Sequence, residues 1–586
     1  MRRRPWVALA ALLIITAGTS LAAQEAPPAV AENNGVAAAA PLMGWSSWSF
    51  ERSNPTAAKI DAQADALKSS GLSSHGYSYV NVDDFWMACN SDGPEVDSSG
   101  RWIANPATFP GGIAAVASHV HADGLKFGIY VTPGIPENAV LANTPIEGTS
   151  DTAAGIANTS VTETNYNCQH MYGINYSAPG AQAYINSWAD EFASWGVDYV
   201  KIDGVGAGDL PDVQAWSAAL AQTGRPIALE LSNSLAISDA TTWSALANGW
   251  RTTGDIECYC GAGGSSYPLT DWGNVSSRFS AAASWQPYGG PGGWNDYDSI
   301  EVGNGTNDGL TAPERQTQLS LWSLASAPLI LGTDLTNLDA TDLAMLENNA
   351  VIAVDQDGIP ADRVISSGSE QVFDKRQRNG TWDIGVFNTD SSASHSFSVS
   401  LAQLGLSGSA SVTDLWSGQS LGTVAGTYTA TVPAGGVSLI SATPVSGTGG
   451  TGELVGAQSG QCLDTRGGGS PGPYVYFPGT AEQIWPCSGG INQEFSVTSA
   501  GELRTMGATE CLDVYNNQTA PGTKVELWPC NGGANQKWTV EANGTIVGQQ
   551  SGLCLDVQGA SPSQGTPLNI YTCNGQASQQ WSWAYR

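Results

Sequence analysis

The sequence predicts an α/β protein with a (β/α)8 TIM barrel at 41–354, an antiparallel β-sandwich domain at 355–445 and a C-terminal domain of three repeats at 453–586. In the first region, short apolar segments alternate with amphipathic stretches, which is typical of repeated βα units. In the second, short alternating segments are separated by turn residues, and in the third one motif recurs. A chain of 586 residues is too long for one core, so several domains are expected.

The barrel prediction depends on apolar segments that read as strands and on helical patterns between them, such as 182–195. An open doubly wound sheet is the alternative, but no glycine-rich nucleotide loop follows the first segment. The strand segments are 42–46, 79–83, 126–130, 199–203, 226–230, 250–253, 293–296 and 328–332. Eight of them fit a closed barrel.

The second region contains strand candidates at 372–375, 381–388 and 436–440. The Gly/Ser/Thr-rich stretch 446–452 then predicts a flexible linker to the repeats.

The N-terminus predicts a signal peptide at 1–23, with a basic start, an apolar run at 7–18 and a small-residue cleavage site. An Ala/Pro/Asn-rich lead-in at 24–40 follows, and we expect it to be disordered. The apolar run is short for a bilayer and no later run is long enough, so we expect a secreted, extracellular protein without a membrane partner. Export permits disulfides, and the ten cysteines are even in number.

The charge balance limits the kinds of partner. With 22 basic and 53 acidic side chains, the net charge is -31, which disfavours nucleic acid and anionic membranes. Only 13% of residues are charged and aromatic residues are plentiful, which suits neutral sugars. The five histidines are scattered without metal-ligand spacing, so we expect no metal and no cofactor. The oligomeric state stays open.

Acidic residues end several predicted strands. Asp203 and Asp255 end two of them, and Asp83-Asp84 end a third. Strand ends of one barrel surround a single pocket. Two carboxylates in one pocket are what cleavage of a glycosidic bond requires. The pattern therefore predicts an enzyme that cuts sugars.

The C-terminal repeats share three elements in order. Cys-Leu-Asp begins at Cys462, Cys511 and Cys554, a second cysteine follows, and a Gln-x-aromatic triplet closes each repeat. Three such units should close on one another around a pseudo-threefold axis. The motif resembles the ricin-type β-trefoil, carbohydrate-binding module family 13, over 452–586. The second cysteines are Cys487, Cys530 and Cys573, and the triplets are 493–495, 536–538 and 579–581.

The trefoil resemblance implies one sugar pocket for each repeat, built from an Asp, an aromatic platform and an Asn. We expect the second pocket to be the strongest, and the third to be doubtful because Ser578 occupies its Asn position. The triplet aromatics are expected to be core. The implied pocket residues are Asp464, Gln483, Trp485 and Asn492; Asp513, Glu526, Trp528 and Asn535; and Asp556, Asn569 and Tyr571.

The barrel region resembles glycoside hydrolase family 27, the α-galactosidase family, over 41–444. The motifs that carry the resemblance begin at Met43 (MGWSSW), Asp83 (DDFW), Tyr199 (YVKID), Trp250 (WRTTGDI) and Gly293 (GWNDYD), followed by 327–335 and 352–357. The resemblance implies that Asp203 is the nucleophile and Asp255 the acid/base of a retaining mechanism. It also implies substrate contacts from Trp48, Asp83, Asp84, Tyr130, Lys201, Glu230, Arg251 and Asp298.

Among those implied contacts, Asp83 and Asp84 match residues that accept hydrogen bonds from O4 and O6 of galactose. Glu230 falls where family members use an acidic residue or its neighbours to recognise the substituent at the 2-position. Trp45 and Trp86 are equally compatible with a structural role.

The residues themselves support the two catalytic roles. Lys201 and Asp203 are two apart on a strand and share a side, so Lys201 can hold Asp203 ionised and donate to a substrate hydroxyl. Asp255 must start the cycle protonated, and we expect a partly apolar site and the charge of Asp203 to raise its pKa. For a retaining enzyme the two carboxyls should lie roughly 5 to 5.5 Å apart.

Several positions depart from the family pattern. Val205 stands where a cysteine is usual, Tyr297 where a proline is usual, and 231–234 reads Leu-Ser-Asn-Ser. The loop between Tyr130 and Gln182 is long and contains Cys168. Cys89 with Cys168 is a candidate rearranged disulfide, and Cys258 with Cys260 a strained one. These changes leave the chemistry intact but open the question of which sugar is preferred.

The leading hypothesis is a secreted retaining exo-glycosidase that removes terminal α-D-galactose from oligo- or polysaccharides, with a tethered sugar-binding module. A β-L-arabinopyranosidase is the first alternative, because L-arabinopyranose is galactose without C6, although an acidic pair shaped for O6 argues against it. An isomaltodextranase is the second. A non-catalytic lectin is disfavoured because both catalytic aspartates are present.

Overall fold

The computed structural model describes residues 38–163, 168–257, 270–377, 381–404, 406, 409–444, 451–466, 478–488, 490–498, 500–505, 510–541 and 544–585. The predicted signal peptide, most of the lead-in, and Cys258 and Cys260 lie outside these residues. In the described part of the chain, no helix has the length and apolarity needed to cross a membrane.

Eight parallel strands form the first domain, which confirms the predicted barrel. The sheet closes just beyond its seventh strand, where Ile300 N donates to Ile330 O at 2.8 Å and Gly332 N donates to Ile300 O at 3.1 Å. All side chains that end these strands therefore face one mouth. In chain order the strands are β1 Met43–Ser46, β2 Tyr79–Val82, β3 Lys126–Val131, β4 Tyr199–Ile202, β5 Ala228–Leu231, β6 Gly249–Arg251, β7 Trp294–Asp296 and β8 Leu329–Leu331.

Helices cover the outside of the barrel. In the helix Ala181–Trp195, the buried residues Tyr184, Ile185, Trp188 and Phe192 recur at helical spacing and form the face that packs inward. The α-helices are Ser47–Glu51, Ala57–Ser69, Ile113–Ala122, Glu137–Ala142, Ala153–Ile156, Ala181–Trp195, Leu210–Gln222, Ala240–Ser244, Trp272–Trp285, Ala312–Ala325, Ala340–Leu346 and Asn349–Asp355.

Short strands in the loops at the barrel mouth support the rim. Ala157–Glu163 and Met171–Ile174 form a hairpin with Ile135–Pro136, and Cys89–Asn90 pairs with Gly93–Pro94. The structure joins Cys89 to Cys168 with an S–S distance of 2.01 Å, so the loop after β2 is tied to the insertion after β3.

The second domain is the predicted antiparallel sandwich. Its larger sheet packs against the barrel helix Ala312–Ala325, whose Thr317 Oγ1 donates to Gly435 O at 2.8 Å. Phe373, Phe387 and Leu439 of this domain belong to the barrel's own apolar core. The larger sheet runs in the order Asp362–Ser367, Glu370–Arg376, Trp382–Asn388, Val437–Pro444, Ser409–Asp414 and Ser420–Ala425, and the smaller one pairs His395–Ser400 with Thr427–Val432.

The third domain is all β, as predicted. Phe495, Trp538 and Trp581, the triplet aromatics, are buried and contribute to one shared core, which confirms that they are structural. Disulfides join Cys462 to Cys487, Cys511 to Cys530 and Cys554 to Cys573. The strands are Thr451–Gly456, Cys462–Thr465, Glu482–Trp485, Glu494–Val497, Leu503–Thr505, Glu510–Val514, Thr523–Pro529, Trp538–Val540, Ile546–Gly548, Cys554–Val557, Leu568–Tyr571 and Trp581–Tyr585. The first strand begins at Thr451, one residue before the predicted end of the linker.

Candidate active site

A cavity opens at the mouth of the barrel, at the carboxyl ends of the strands. It is lined by six of the predicted substrate contacts together with Ser46, Asn81, Asp296 and Ser299. Those six are Trp48, Asp83, Lys201, Glu230, Arg251 and Asp298. The closed sheet and its buried side chains form the floor of this cavity, so it is entered from the mouth.

The Asp83-Asp84 pair lies on a tight turn directly after β2. Ser47 Oγ accepts a bond from Asp83 N at 2.9 Å, and Asp83 Oδ1 accepts one from Asp84 N at 2.9 Å. Both residues are almost fully buried, at 3% and 1% exposure. Desolvated carboxylates held this rigidly are strong acceptors for sugar hydroxyls.

Lys201 links the acidic residues on two strand ends. Its Nζ donates to Asp83 Oδ2 at 2.7 Å, and it also interacts electrostatically with Asp203. Burial alone would lower the pKa of the Lys201 amine, but the charges of Asp83 and Asp203 raise it. Lys201 therefore stays a cation beside Asp203, whose backbone N donates to Val131 O at 2.8 Å.

Arg251 holds two more carboxylates. Its guanidinium, 4% exposed, donates to Asp255 Oδ1 at 2.8 Å and pairs with Asp298 Oδ1 at 2.7 Å. Asp255 is half-exposed, at 48%. Burial raises the pKa of Asp298 to about 7, with the charges of Asp255 and Asp296 adding to the effect and Arg251 opposing it.

The predicted rise in the Asp255 pKa was wrong. Burial does raise the pKa of Asp255, but the Arg251 ion pair and hydrogen bond outweigh it and lower the pKa below the ordinary value. Sequence reasoning weighed Asp203 and an apolar site, and omitted the arginine four residues earlier.

A second acidic pair lies deeper in the cavity. Glu230 on β5 is buried and hydrogen-bonded to Asp296, and burial raises its pKa well above the ordinary value. A Cβ on Gly249, its neighbour on β6, would lie 1.8 Å from Glu230 Oε2, so the residue facing it has to be glycine. Among the residues that the structure describes, no group bonds to Glu230 Oε1, which is buried.

Two aromatic residues implied by the resemblance flank the acids. Trp48 Nε1 donates to Glu257 Oε1 at 2.6 Å, and Tyr130 is buried with the Lys201 ammonium 5.9 Å from its ring centre. Trp45 and Trp86 are fully buried, and their indole N–H groups donate to Thr333 O and Tyr130 O, so both are structural.

The trefoil presents three exposed aromatic side chains beside buried aspartates. Asp464 accepts bonds from Gln483, Asn492 and Gln493 at 2.8, 2.6 and 2.9 Å. The platforms Trp485, Trp528 and Tyr571 are 39%, 40% and 46% exposed. An exposed ring beside a fixed carboxylate is suited to stack a sugar and accept its hydroxyls.

The other two trefoil sites differ from the first. In the second site, Asp513 accepts hydrogen bonds from Asn535 at 2.8 Å and from Gln536 at 2.9 Å. The position that Gln483 has in the first site is occupied here by Glu526, which forms an ion pair with Lys524. Burial raises the pKa of Asp513 to about 6, and the charge of Glu526 adds to it. In the third site, Ser578 Oγ donates to Asp556 at 2.9 Å and so takes the role that Asn535 has in the second site. Asn569 lies opposite Asp556 on the neighbouring strand.

The family profile described as Alpha galactosidase A matches residues 40–156 and 166–357, which is more than half of the chain. The chain belongs to the α-galactosidase family, glycoside hydrolase family 27. Two further profiles match the following domains: the Alpha galactosidase C-terminal beta sandwich domain at 367–442 and the Ricin-type beta-trefoil lectin domain at 450–581.

Two relatives from different organisms are similar over about two thirds of this chain. Alpha-galactosidase 2 of Arabidopsis thaliana is 34% identical over 397 residues, covering 66% of this chain and 84% of the relative. A probable alpha-galactosidase of Dictyostelium discoideum is 33% identical over 425 residues, covering 71% and 95%.

Solved structures share the fold. A family 27 β-L-arabinopyranosidase from Geobacillus stearothermophilus superposes with a TM-score of 0.64 at 29% identity, covering 70% of this chain and 98% of that one. Alpha-galactosidase I of Mortierella vinacea gives 0.57 at 28% identity, covering 70% and 98%. The family member described here is thus a glycoside hydrolase with an added carbohydrate-binding trefoil.

In this α-galactosidase family member, sequence reasoning missed three groups around the pocket. Asp296 bonds to Glu230, Glu257 bonds to Trp48 and to Asp255, and Phe85 stacks on Trp48. Asp296 and Phe85 lie within the motifs that carry the family resemblance, and Glu257 directly follows one of these motifs. Their closeness to the motifs in the sequence was the signal that could have identified them. In the trefoil, the glutamines of the triplets were given no role in the sugar sites, although Gln493 and Gln536 donate to the site aspartates.

Proposed function

We propose that the protein is a retaining exo-α-galactosidase that removes terminal α-D-galactosyl residues from oligo- or polysaccharides. The observation that carries the proposal is that Lys201 and Arg251, the two cations that line one cavity, lie beside Asp203 and Asp255 respectively. A cavity closed by the barrel core suits a chain end, which is why we propose exo action.

The proposed reaction is a double displacement. The Asp203 carboxylate attacks C1 of the sugar while Asp255 gives its proton to the glycosidic oxygen, so the C1–O bond breaks and the leaving sugar departs. The Asp255 carboxylate then takes a proton from water, whose oxygen attacks C1 and releases Asp203. The anomeric configuration is retained, and we expect a carboxyl separation of roughly 5 to 5.5 Å in the working enzyme.

Galactose fits the inner end of the pocket better than the other candidate sugars. Asp83 and Asp84 form two adjacent buried acceptors, which suits a sugar with an axial O4 and an O6 on the same side. Arg251 and Asp298 can bond the remaining ring hydroxyls. A β-L-arabinopyranosidase is the second candidate, favoured by the arabinopyranosidase structure that shares the fold.

A panel of p-nitrophenyl glycosides tests the substrate. Wild-type protein, taken from the culture medium and expected to begin near residue 24, should release nitrophenol fastest from the α-D-galactopyranoside. The β-L-arabinopyranoside should react more slowly because it lacks C6, and the α-D-glucopyranoside slowest. Faster release from the arabinoside would replace the proposal with the second candidate.

Protein found only inside the cells, or still carrying residues 1–23, would contradict export, which four disulfides among the described residues support.

We propose that the trefoil raises the local concentration of polymeric substrate. Replacing Trp485, Trp528 and Tyr571 together by alanine should raise KM for a galactosylated polysaccharide roughly ten-fold or more, because three platforms are lost. KM for p-nitrophenyl galactoside should stay within about two-fold. Leu421→Ala, an exposed apolar residue of the sandwich, is the matched control. Equal losses on both substrates would contradict the tethering role.

A further inference from the structure

Glu257 is a buried carboxyl group beside the acid/base residue, and the proposed reaction gives it no role. It is 1% exposed and stands two residues after Asp255. Burying a carboxyl group costs free energy unless its bonds replace those it made with water. The bonds of Glu257 therefore indicate which parts of the site it stabilises.

The carboxyl group of Glu257 joins three side chains. Its Oε1 accepts a hydrogen bond from Trp48 Nε1 at 2.6 Å, and its Oε2 lies 3.3 Å from Arg52 Nε. The same carboxyl group is hydrogen-bonded to that of Asp255. Because Trp48 lines the cavity, Glu257 connects one wall of the substrate pocket to the acid/base group.

The backbone between Asp255 and Glu257 is fixed to two other parts of the barrel mouth. Ile256 N donates to Asp298 Oδ2, which lies after β7. Ile256 O accepts from Ser49 Oγ at 3.2 Å, and Ser49 belongs to the helix that carries Trp48. With the backbone held, the freedom that remains to the Asp255 carboxyl group lies in its side-chain torsions.

Two partners restrict those torsions. Arg251 donates to Asp255 Oδ1 at 2.8 Å, but one bond still allows the carboxyl group to rotate about it. The bond to Glu257 is a second constraint on its direction. A bond between two carboxyl groups requires a proton on one of them, because an ionised carboxylate only accepts. An acid must also lie within hydrogen-bond reach of the oxygen that it protonates.

We propose that Glu257 is a positioning residue for the acid/base step. It holds the Asp255 carboxyl group at the glycosidic oxygen, and Trp48 and Arg52 hold Glu257 in turn. The proposal rests on the proposed glycosidase function. Because Glu257 acts through Asp255, its loss affects leaving groups that need a proton and spares those that depart without one.

The test compares two galactosyl substrates that differ in their need for an acid. kcat/KM reports the steps up to departure of the leaving group, and an α-galactosyl trisaccharide needs a proton there, whereas α-galactosyl fluoride does not. Glu257→Ala should lower kcat/KM for the trisaccharide roughly ten-fold or more, because misplacing a reacting group by about 1 Å can reduce the rate about 10²-fold. The fluoride should stay within about three-fold of the wild type.

Two further variants separate positioning from a structural role. Glu257→Gln keeps an acceptor for Trp48 Nε1 and offers an N–H group to Asp255, so the trisaccharide should return to within about three-fold of the wild type. Glu482→Ala removes a fully buried glutamate of the trefoil and is the matched control. It should leave the ratio of kcat/KM for trisaccharide over fluoride unchanged.

Trp48→Phe replaces Glu257→Ala if that variant does not fold, as judged by circular dichroism. It keeps a ring at the cavity wall and loses the N–H that bonds to Glu257, so the same ratio should fall roughly two- to five-fold. A wild-type ratio in the folded variant would overturn the positioning role, and so would an equal loss in Glu257→Gln and Glu257→Ala.

A wild type inactive on both galactosyl substrates would instead overturn the proposed function. The ratio would then be measured with the fluoride and oligosaccharide of the sugar that the panel identifies.

Discussion

Asp203→Gly is expected to lower turnover of galactosides by at least roughly 10³-fold, since losing a covalent nucleophile removes the whole first displacement. The fold should survive, because the strand bond from Asp203 N to Val131 O uses the backbone. Initial rates with p-nitrophenyl α-galactoside measure the loss. Binding to a galactosylated polysaccharide should stay at the wild-type level, because the trefoil residues are unchanged.

Azide distinguishes a nucleophile from a residue that merely binds. In Asp203→Gly, azide can enter the space left by the carboxylate, attack C1, and give the β-galactosyl azide, while Asp255 still protonates the leaving group. Rescue with that configuration would confirm the role of Asp203. Turnover near wild type without azide would show that the assignment is wrong, and Asp203→Asn provides the isosteric control for folding.

Asp255→Ala is expected to have the second largest effect, and its size should depend on the leaving group. A sugar leaving group needs the proton, so kcat/KM for an oligosaccharide should fall roughly 10²- to 10⁴-fold. Galactosyl fluoride should be affected much less in the first step. Azide should then give the α-galactosyl azide, because attack comes on the face where water attacks in the wild type. An equal loss on both substrates would argue against acid/base action.

The pH profile tests how the proton reaches Asp255. Arg251 keeps the pKa of Asp255 low, whereas burial raises the pKa of Asp298, on the same guanidinium, to about 7. Below about pH 7 the pair therefore keeps a proton on Asp298, and above it that proton is lost. If this proton supplies the acid, kcat/KM should fall as the pH rises through about 7. Asp298→Asn should shift the pH at which kcat/KM falls. An unshifted pH profile would show that the proton comes from another group.

Much of the fold could be predicted from the sequence because it follows local patterns. The eight barrel strands appear where apolar runs end in polar residues, and the three triplets place Phe495, Trp538 and Trp581 in a core. The closure of the barrel could not be predicted from these patterns. It depends on backbone pairing of Ile300, which lies outside the predicted apolar segments.

The site was predictable in its membership but not in its electrostatics. Asp203, Asp255 and Lys201 stand in motifs, whereas the pKa of Asp255 depends on which way the Arg251 side chain turns. The same limit hid Glu257, whose contact with Trp48 joins residues 209 positions apart. Such contacts depend on rotamers and loop paths, which no pattern of residue types encodes.

The barrel and the sandwich share one apolar interior through Phe373, Phe387 and Leu439. A protein truncated at the end of the barrel would leave the apolar surface beneath these three residues open to water, and would be prone to aggregate. Anyone grafting this catalytic unit onto another binding module should therefore splice beyond Pro444, where the last sandwich strand ends. The first two domains thus form one structural part, and a replacement for the trefoil must also cover the sandwich surface that Trp583 contacts.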